Sequence, residues 1–381
     1  MVKLLTKQNL FYVFVAIISV ILLMTDLTKR LPNLPLSNDK PSYFVGKVEE
    51  VIKQGKKTLN GREYFFQDVR VSFTDKTEQN LVIRHGGDRI LTQEQMLSKG
   101  QNVIIAKYSL SSQPPSYVIM DSYRLHSLGI IAAIFFTLVF IMTGKRGLGA
   151  LLGLGFSLLV IMKFIIPLIL LGFNPLLISI IGSILILIVS IYLAHGLKEE
   201  TTIAVISTGL SLIITGILAV LFVSIAQMSG LGDEDAYSLH TQFQNVINFQ
   251  GLLLGGIIIG TLGVLDDVTT AQTATVYELA HANQQLSVKT IISKGLRVGK
   301  EHITSVVNTL VLAYAGASMG VFIFVTLGIQ NNSTPLWIIL NNEMLAEEVI
   351  RTLAGSIGLI LAVPVSTVLA AIYARYSVKI V

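Results

Sequence analysis

The sequence contains no cysteine, and only 13% of its residues are charged. The missing cysteine excludes disulfide bonds, thiolate metal sites and cysteine nucleophiles, but it is compatible with any cellular compartment. Soluble domains carry about 25% charged residues, so the low charge content excludes an ordinary soluble protein. With 52% hydrophobic residues and a mean hydropathy of +0.70, the 381 residues predict an integral membrane protein.

The net charge is only +5, and the basic residues lie mainly in short segments beside apolar runs. Such residues set the orientation of membrane helices and do not indicate a nucleic-acid surface. The chain also lacks a nucleophile–base pair, a phosphate-binding loop and a metal-ligand pattern. We therefore expect no enzymatic activity, no cofactor, no bound metal and no nucleic-acid partner, and we expect the lipid bilayer as the surrounding medium.

The chain divides into three parts. Residues 1–30 combine Lys3 and Lys7 with an apolar run and lack a small-residue cleavage site, which favours an N-terminal anchor helix over a cleaved signal peptide. Residues 42–125 alternate apolar segments with turn residues, as in a small OB-like β-barrel. Residues 127–381 contain seven further apolar runs. The fold class is therefore an α-helical polytopic membrane protein of about eight transmembrane helices with a small all-β domain.

The apolar runs of the last part approach the length of about 20 residues that a span needs. They are 128–143, 148–171, 176–193, 203–225, 246–265, 303–328 and 349–374. Basic residues fall on alternate ends of successive runs, so the positive-inside rule places both termini in the cytoplasm and the β-domain outside. Residues 286–300 separate apolar from basic side chains, which predicts an interfacial helix on the inner leaflet.

The most informative stretch is 245–283, in which Asp266 and Asp267 follow an uncharged, glycine-rich run. Carboxylates in hydrocarbon are costly and often mark proton or ion pathways. A span takes about 20 residues, so a count from Val246 puts both aspartates near the cytosolic interface. Two interpretations remain open: the pair carries protons or cations, or it caps a helix that emerges into the cytosol.

As a helix, this stretch has two polar faces and a set of glycines. One face carries four polar side chains: Asp266, Thr270, Thr273 and Tyr277. The second face carries acids at its ends and alanines between them: Asp267, Ala271, Ala274 and Glu278. The glycines would let another helix approach closely: Gly251, Gly255, Gly256, Gly260 and Gly263. We expect the polar faces to look into the bundle or a wet cavity, because lipid would not solvate them.

Other polar residues are candidates for the same path. Asn308 opens a later span near the predicted level of the aspartates, where it is either their hydrogen-bond partner or an ordinary polar contact between helices. Lys163 lies inside an apolar run and is either functional or directed outward to the interface. His195 and His302, near the cytosolic edge, leave a weaker alternative, a metal or proton site with the aspartates.

The segment Gly230-Leu231-Gly232-Asp233 matches the GxGD pattern of intramembrane aspartyl proteases. Such a dyad needs two aspartates that face each other and share a proton. The predicted topology separates Asp233 from the Asp266–Asp267 pair by a membrane thickness of roughly 30 Å. We therefore do not expect a protease.

The segment GTLGVLDDV at 260–268, which leads to Glu278-Leu279, resembles the signature of the YibE/F-like family of bacterial membrane proteins. The layout of anchor, β-domain and seven further spans is also similar. The resemblance implies a bacterial plasma-membrane protein. The form with an anchor and a β-domain resembles the longer, YibE-like members of the family. This resemblance implies a shorter YibF-like membrane partner, with a homo-oligomer as the alternative. The family has no established biochemical activity, so the resemblance implies architecture and not mechanism.

Two functions fit these features. The first is a transporter or permease component coupled to protons or cations, with these candidate residues: Asp266, Asp267, Thr270, Thr273, Glu278, Asn308 and Lys163. A weaker similarity to the SecD/SecF and resistance–nodulation–division bundles, which use aspartates in a membrane helix, favours this function. The alternative is a non-transporting scaffold or envelope-assembly subunit that binds a partner through its β-domain.

Overall fold

The computed structural model describes residues 7–25, 27, 41–59, 62–74, 80–86, 91–109, 114–243, 246–330 and 335–380. The chain forms two compact units. The β-unit is Pro32–Leu138, and the helical unit combines Met1–Leu31 with Val139–Val381. The predicted anchor over residues 1–30 lies partly outside the described residues. Within them, the helix α1 spans Lys7–Met24.

The β-unit contains five antiparallel strands. They are β1 (Ser42–Leu59), β2 (Arg62–Phe73), β3 (Leu81–His85), β4 (Asn102–Tyr108) and β5 (Ser116–Ser122). The sheet order is β3-β2-β1-β4-β5, and the edge strands β3 and β5 also contact each other, so the sheet curls into a half-barrel. The long β1 carries register shifts between Val48 and Glu50 and between Val51 and Lys53, which let it bend and pair with both neighbours.

Every second side chain of each strand contributes to the core of the β-unit, because successive residues of a strand point to opposite faces of the sheet. Valine and isoleucine from all five strands meet on the inner face, with Val48, Val69, Val103 and Ile105 fully buried. The prediction of a small β-domain is confirmed as a five-stranded half-barrel sheet.

The helical unit and the connecting segment consist of helices, most of which are long and apolar. They are α2 (Leu125–Val160), α3 (Ile166–Leu170), α4 (Pro175–His195), α5 (Glu199–Ile225), α6 (Glu234–Gln242), α7 (Phe249–Ala282), α8 (Val288–Ala317), α9 (Met319–Gln330), α10 (Leu336–Leu340) and α11 (Glu343–Ile380). A π-helical turn, Ile161–Ile165, joins α2 to α3. Gly144 has φ 59° and breaks α2 into two apolar segments.

Within the described residues, seven helices are long and apolar enough to cross a membrane, or up to eight if the bent pair α8 and α9 forms one span. Large aliphatic side chains are exposed along them; Ile131, Ile213 and Ile217, for example, are each about 60% exposed. A helix that is apolar on its outer surface suits lipid better than water. These features agree with the predicted polytopic architecture.

Helix α7 lies at the centre of the helical unit and packs against α4, α5, α8 and α11. Of the five glycines predicted to pack helices, Gly251 and Gly255 lie against Pro175 and Ser179 of α4. Gly260 is nearest to the Tyr314 hydroxyl, whereas a Cβ added at Gly256 or Gly263 would meet nothing within 4 Å. The close approach predicted for those two positions is therefore not seen among the residues that the structure describes.

The segment predicted as an interfacial helix is the first half of α8. Part of its apolar face is turned into the bundle: Ile291 is buried, and Gly295 and Gly299 lie against α7 and α11, whereas Val298 is 47% exposed. The two glycines allow this contact, because they give α8 a flat surface that two helices can approach. The position of this segment at the inner leaflet stays a prediction.

Candidate functional site

Asp266 and Asp267 lie near the middle of α7, which has 34 residues and is roughly 50 Å long at about 1.5 Å per residue. The apolar run ends at 265, so the residue count put the aspartates near the cytosolic interface, or deeper if the helix were tilted or broken. In the structure α7 continues as one helix to Ala282, as expected for 245–283, and the depth of the aspartates in a bilayer stays a prediction. Several polar side chains that follow Asp266 are buried in the bundle, which a count of apolar residues does not register.

Contacts with the neighbouring helix α5 show which part of α5 lies beside the aspartates. The Thr208 hydroxyl of α5 is hydrogen-bonded to Thr269 of α7. Ile203, where the apolar run of α5 begins, packs with Val276 and Tyr277 of α7. The segment of α7 from Asp266 to Tyr277 therefore runs alongside the apolar part of α5 and not beyond it.

Neutral polar side chains fill the interior around this segment. They are buried on three helices: Thr201, Ser207, Thr208, Ser211 and Thr215 of α5; Thr261, Thr269, Gln272 and Thr273 of α7; and Ser356, Ser366 and Thr367 of α11. We call this set the polar seam. The sequence prediction found only Thr273 of it. Serine and threonine at intervals of three or four on α5 were the signal that could have found more.

Hydrogen bonds across the polar seam join three helices. The Gln272 side-chain amide donates to the backbone carbonyl of Gly295 at 2.9 Å and to the Thr367 hydroxyl at 2.8 Å. By contrast, the buried hydroxyls of Thr201, Ser207 and Thr273 have no hydrogen-bond partner among the described residues. Leaving such a group unpaired costs about 1–3 kcal/mol. The seam therefore keeps hydrogen-bonding capacity that the fold itself does not use.

The two aspartates face different surroundings. Asp266 is half-buried, and the Thr270 hydroxyl donates to its Oδ1 at 3.3 Å. Within the described part of the chain, no basic side chain forms an ion pair with Asp266. Asp267 is exposed, on the face that also carries Gly256, Gly263 and Glu278. The predicted first face is thus turned inward, and the second is turned outward.

The remaining predicted residues lie apart from this pair. Asn308 is exposed on α8, and no hydrogen bond between it and either aspartate occurs in the described ranges. Lys163 is half-buried inside the π-helical turn, without an ion pair to a described residue. π-Helical turns are frequent at functional sites, so Lys163 stays a candidate on this different ground. In the described residues, no three histidine, aspartate or glutamate side chains are arranged to hold a metal ion.

A second polar cluster, which the sequence prediction missed, lies at the start of α11. The Glu343 Oε1 accepts hydrogen bonds from the Ser229 hydroxyl at 2.7 Å and from the Gly230 amide at 3.1 Å. The Glu347 Oε1 accepts one from the Gly232 amide at 3.0 Å. The i, i+4, i+8 spacing of Glu343, Glu347 and Arg351 was the signal for one shared helix face.

The same cluster explains the GxGD pattern without a protease. Gly230 has φ +81° and lies against the backbone of Phe249, so that a side chain there would be strained and would overlap it. Gly232 packs against the Glu347 carboxylate. Asp233 is the N-cap of α6 and accepts a hydrogen bond from the Asp235 amide. Each residue of the pattern thus has a structural role.

Comparison with known proteins supports one family. The model of the family described as YibE/F-like protein matches residues 131–376, which is more than half of the chain. No curated protein and no solved structure matches the chain. The matched region includes α7 and the polar seam and leaves out the strands of the β-unit.

Proposed function

The chain belongs to the YibE/F-like family, and on that premise we propose that it is a multi-pass protein of the bacterial plasma membrane and a component of a transporter or permease. Asp266 would carry the proton or cation to which transport is coupled. Thr270 and Thr273 would line its path. Both termini would lie in the cytoplasm and the β-unit outside, as the distribution of basic residues favours.

The observation that carries this proposal is the place of Asp266. It is a half-buried carboxylate near the middle of the most central helix, and its one hydrogen bond among the described residues comes from Thr270. An acid within a membrane span is costly, so such acids usually face the bundle interior and mark proton or ion pathways. The partnerless hydroxyls of Ser207 and Thr273 supply further hydrogen-bonding groups beside the same helix segment.

Asp267 supports a partner for this component. It is exposed midway along α7, beside glycine and alanine positions that would allow a second helix to approach closely. A charged side chain there would be costly if it faced lipid alone. We propose that a second membrane protein covers this face, either a shorter YibF-like protein or another copy of the chain.

The first test is a flux measurement in proteoliposomes with a pH-sensitive dye inside. Asp266→Asn should abolish proton movement driven by an imposed gradient, because the amide cannot take up a proton. Glu278→Gln is the matched control: Glu278 was a sequence candidate for the same path, but it is exposed on the outward face of α7, so its loss should leave the flux largely unchanged. Equal flux in wild type and Asp266→Asn would contradict the proposal and leave the scaffold function, which crosslinking from the β-unit to a stable partner would support.

A second measurement needs no substrate. Dicyclohexylcarbodiimide reacts with protonated carboxyl groups in apolar surroundings, and mass spectrometry of the digested protein locates the adduct. The reagent should modify Asp266 in preference to Glu278, and Asp266→Asn should lose that adduct. An adduct pattern that does not involve Asp266 would count against its role as a proton carrier.

A further inference from the structure

A cavity of about 280 Å³ lies between the π-helical turn, α3, α4, α7 and the start of α11. It is distinct from the polar seam, which lies between α5, α7 and α11. Ligand pockets for drug-sized molecules are typically about 300–1,000 Å³, so this cavity suits a smaller molecule. We call it the α11 cavity.

The lining of the α11 cavity combines two kinds of chemistry. Charged groups come from Asp233, before α6, and from Glu347 and Arg351 on α11. Aliphatic groups come from other elements and include Ile165, Ile169 and Ile259. A ligand that matches this lining therefore combines charged groups with an aliphatic group.

The charged groups are incompletely paired within the described part of the protein. Glu347 is only 5% exposed, and its one hydrogen bond comes from the Gly232 amide. The Arg351 guanidinium lies 3.7 Å from the nearest Glu348 oxygen, and its buried Nε has no partner. A buried carboxylate favours a cationic partner, and a guanidinium favours a carboxylate or phosphate that accepts two parallel hydrogen bonds.

We propose that the α11 cavity binds a small zwitterion with an aliphatic group. Its ammonium group faces Glu347 and Asp233, its acidic group accepts hydrogen bonds from Arg351, and its aliphatic group packs against the isoleucines. Glu347 and Arg351 lie one helical turn apart, where side chains are about 5–6 Å from each other at Cβ. That spacing suits an ammonium group close to a carboxylate or phosphate, as in an aliphatic amino acid or an ethanolamine lipid headgroup.

The cavity also lies on the helix face that carries the candidate coupling residue. Ile259 and Asp266 are seven residues apart on α7, which places them on one face two turns from each other. This proposal rests on the proposed transport function, for which the zwitterion would be the substrate.

The test is equilibrium binding to the purified full-length protein, with L-leucine as the probe. Isoamylamine lacks the carboxylate, and 4-methylpentanoate lacks the amine; both should bind at least tenfold more weakly. The lipid source is tested in parallel by native mass spectrometry of protein from mixed phosphatidylethanolamine and phosphatidylglycerol nanodiscs. Selective retention of phosphatidylethanolamine supports a headgroup, and leucine binding supports a free amino acid.

Two variants assign the charges separately. Arg351→Gln should weaken leucine binding at least tenfold and leave isoamylamine binding unchanged. Glu347→Gln keeps an oxygen that accepts from Gly232; it should weaken leucine binding similarly and leave 4-methylpentanoate binding unchanged. Ile259→Trp, which fills the aliphatic end, should abolish binding without removing a charge. The variants are tested with whichever probe wild type prefers, leucine or phosphatidylethanolamine. The proposal is overturned if neither probe is preferred over its analogue, or if all three variants retain the preferred probe like wild type.

Asp266→Asn separates this proposal from the proposed function. It should still bind leucine with wild-type affinity, because Asp266 does not line the cavity. Binding without gradient-driven flux in wild type would contradict coupled transport and leave the binding site standing. Flux that depends on Asp266 without binding of either probe would support coupled transport and contradict the binding site.

Discussion

The helical unit and the β-unit of this chain differ most in their surfaces. In the helical unit an apolar core also holds hydroxyls and one glutamine on α5, α7 and α11, while the surface is largely aliphatic. In the β-unit the core is likewise apolar and holds one glutamine, while ion pairs such as Arg70–Glu50 and Arg84–Asp68 lie on the surface. The difference teaches that the surface of a unit, more than its core, carries the signal for its surroundings: an aliphatic surface suits lipid and a charged surface suits water.

The two units also differ in how their elements approach. The helical unit brings backbones together at glycines, as at Gly255 against Ser179 and Gly358 against Thr215. The β-unit packs branched side chains between strands. Association in lipid depends on close packing and hydrogen bonds because lipid supplies no hydrophobic driving force between helices. Substitutions that disturb a glycine contact or a buried hydrogen bond in one unit test this difference between the units.

The largest effect is expected for Gly255→Leu. A side chain at this position would overlap Ser179 of α4, and overpacking of this kind costs about 1–3 kcal/mol or more. We expect the purified protein to unfold at a lower temperature or to be lost during purification, as measured by fluorescence-detected size exclusion after heating. The result would show that α4 and α7 require a backbone-level contact.

Gly263→Leu is the control for that experiment. It makes the same change on the same helix, but a Cβ there meets nothing within 4 Å. Replacing glycine in a helix interior gains up to about 1 kcal/mol from helix propensity, so this variant should be as stable as wild type or more so. Equal losses at both positions would mean that glycine acts through the helix itself and not through packing.

The next effect is expected for Gln67→Leu in the β-unit. Gln67 is 1% exposed; its side-chain oxygen accepts from the Leu97 amide at 2.7 Å, and its nitrogen donates to the Leu97 carbonyl at 3.1 Å. Leucine would leave both backbone groups unpaired, at a cost of about 2 kcal/mol. Hydrogen exchange of the β2 amides should accelerate. Gln54→Ala removes an exposed side chain that accepts only a long hydrogen bond of 3.5 Å from Gln67, so it should change the exchange little.

A smaller effect is expected for Gln272→Leu in the helical unit. Gln272 is also 1% exposed and also bridges two groups, but hydrogen bonds between membrane helices average only about 0.6 kcal/mol each. We expect a loss of about 1 kcal/mol in thermal unfolding. Thr275→Val is its control, because Thr275 bonds only to its own helix at Ala271. A loss larger than that of Gln67→Leu would break the contrast between the units.

Much of the fold could be predicted from the sequence because both units follow a simple pattern. Alternation in 42–125 predicted the strands, and apolar runs predicted helices at the positions of α4, α5 and α11. The apolar run alone does not predict the end of α7, which the polar faces of 245–283 place near 283 and the structure places at Ala282. Its second half is polar in sequence, yet Thr269, Gln272 and Thr273 are buried against neighbouring helices, which a window of hydropathy does not register.

The candidate site was predictable only in part for the same reason. Adjacent acids identified Asp266, but which of the two aspartates turns inward depends on how α7 is rotated between its neighbours. Glu347 and Arg351 gain their importance from a loop more than a hundred residues earlier in the chain, at Gly232. Pairings at such sequence separation are set by topology, and one sequence does not contain them as a local pattern.

The smallest effect is expected for Asp68→Asn on the surface of the β-unit. The Arg84 guanidinium donates to both oxygens of Asp68, at 2.7 and 3.0 Å. This hydrogen bonding holds the pKa of the Asp68 carboxyl below its ordinary value, against a smaller opposing effect of burial. A carboxyl with a lowered pKa stabilises the fold above its unfolded pKa of about 3.9, and that contribution disappears as the pH falls through the folded value.

Asp68→Asn should therefore accelerate exchange of the amides in β2 and β3 slightly at neutral pH, and the difference from wild type should vanish in strong acid. The effect is small because exposed ion pairs contribute little and are screened by salt. Glu50→Gln removes a carboxylate that pairs with Arg70 through a single contact, and it is the control for loss of charge alone. A difference that persists unchanged in acid would show that the amide disturbs the strand pairing of β2 with β3, and that the ion pair itself does not stabilise it.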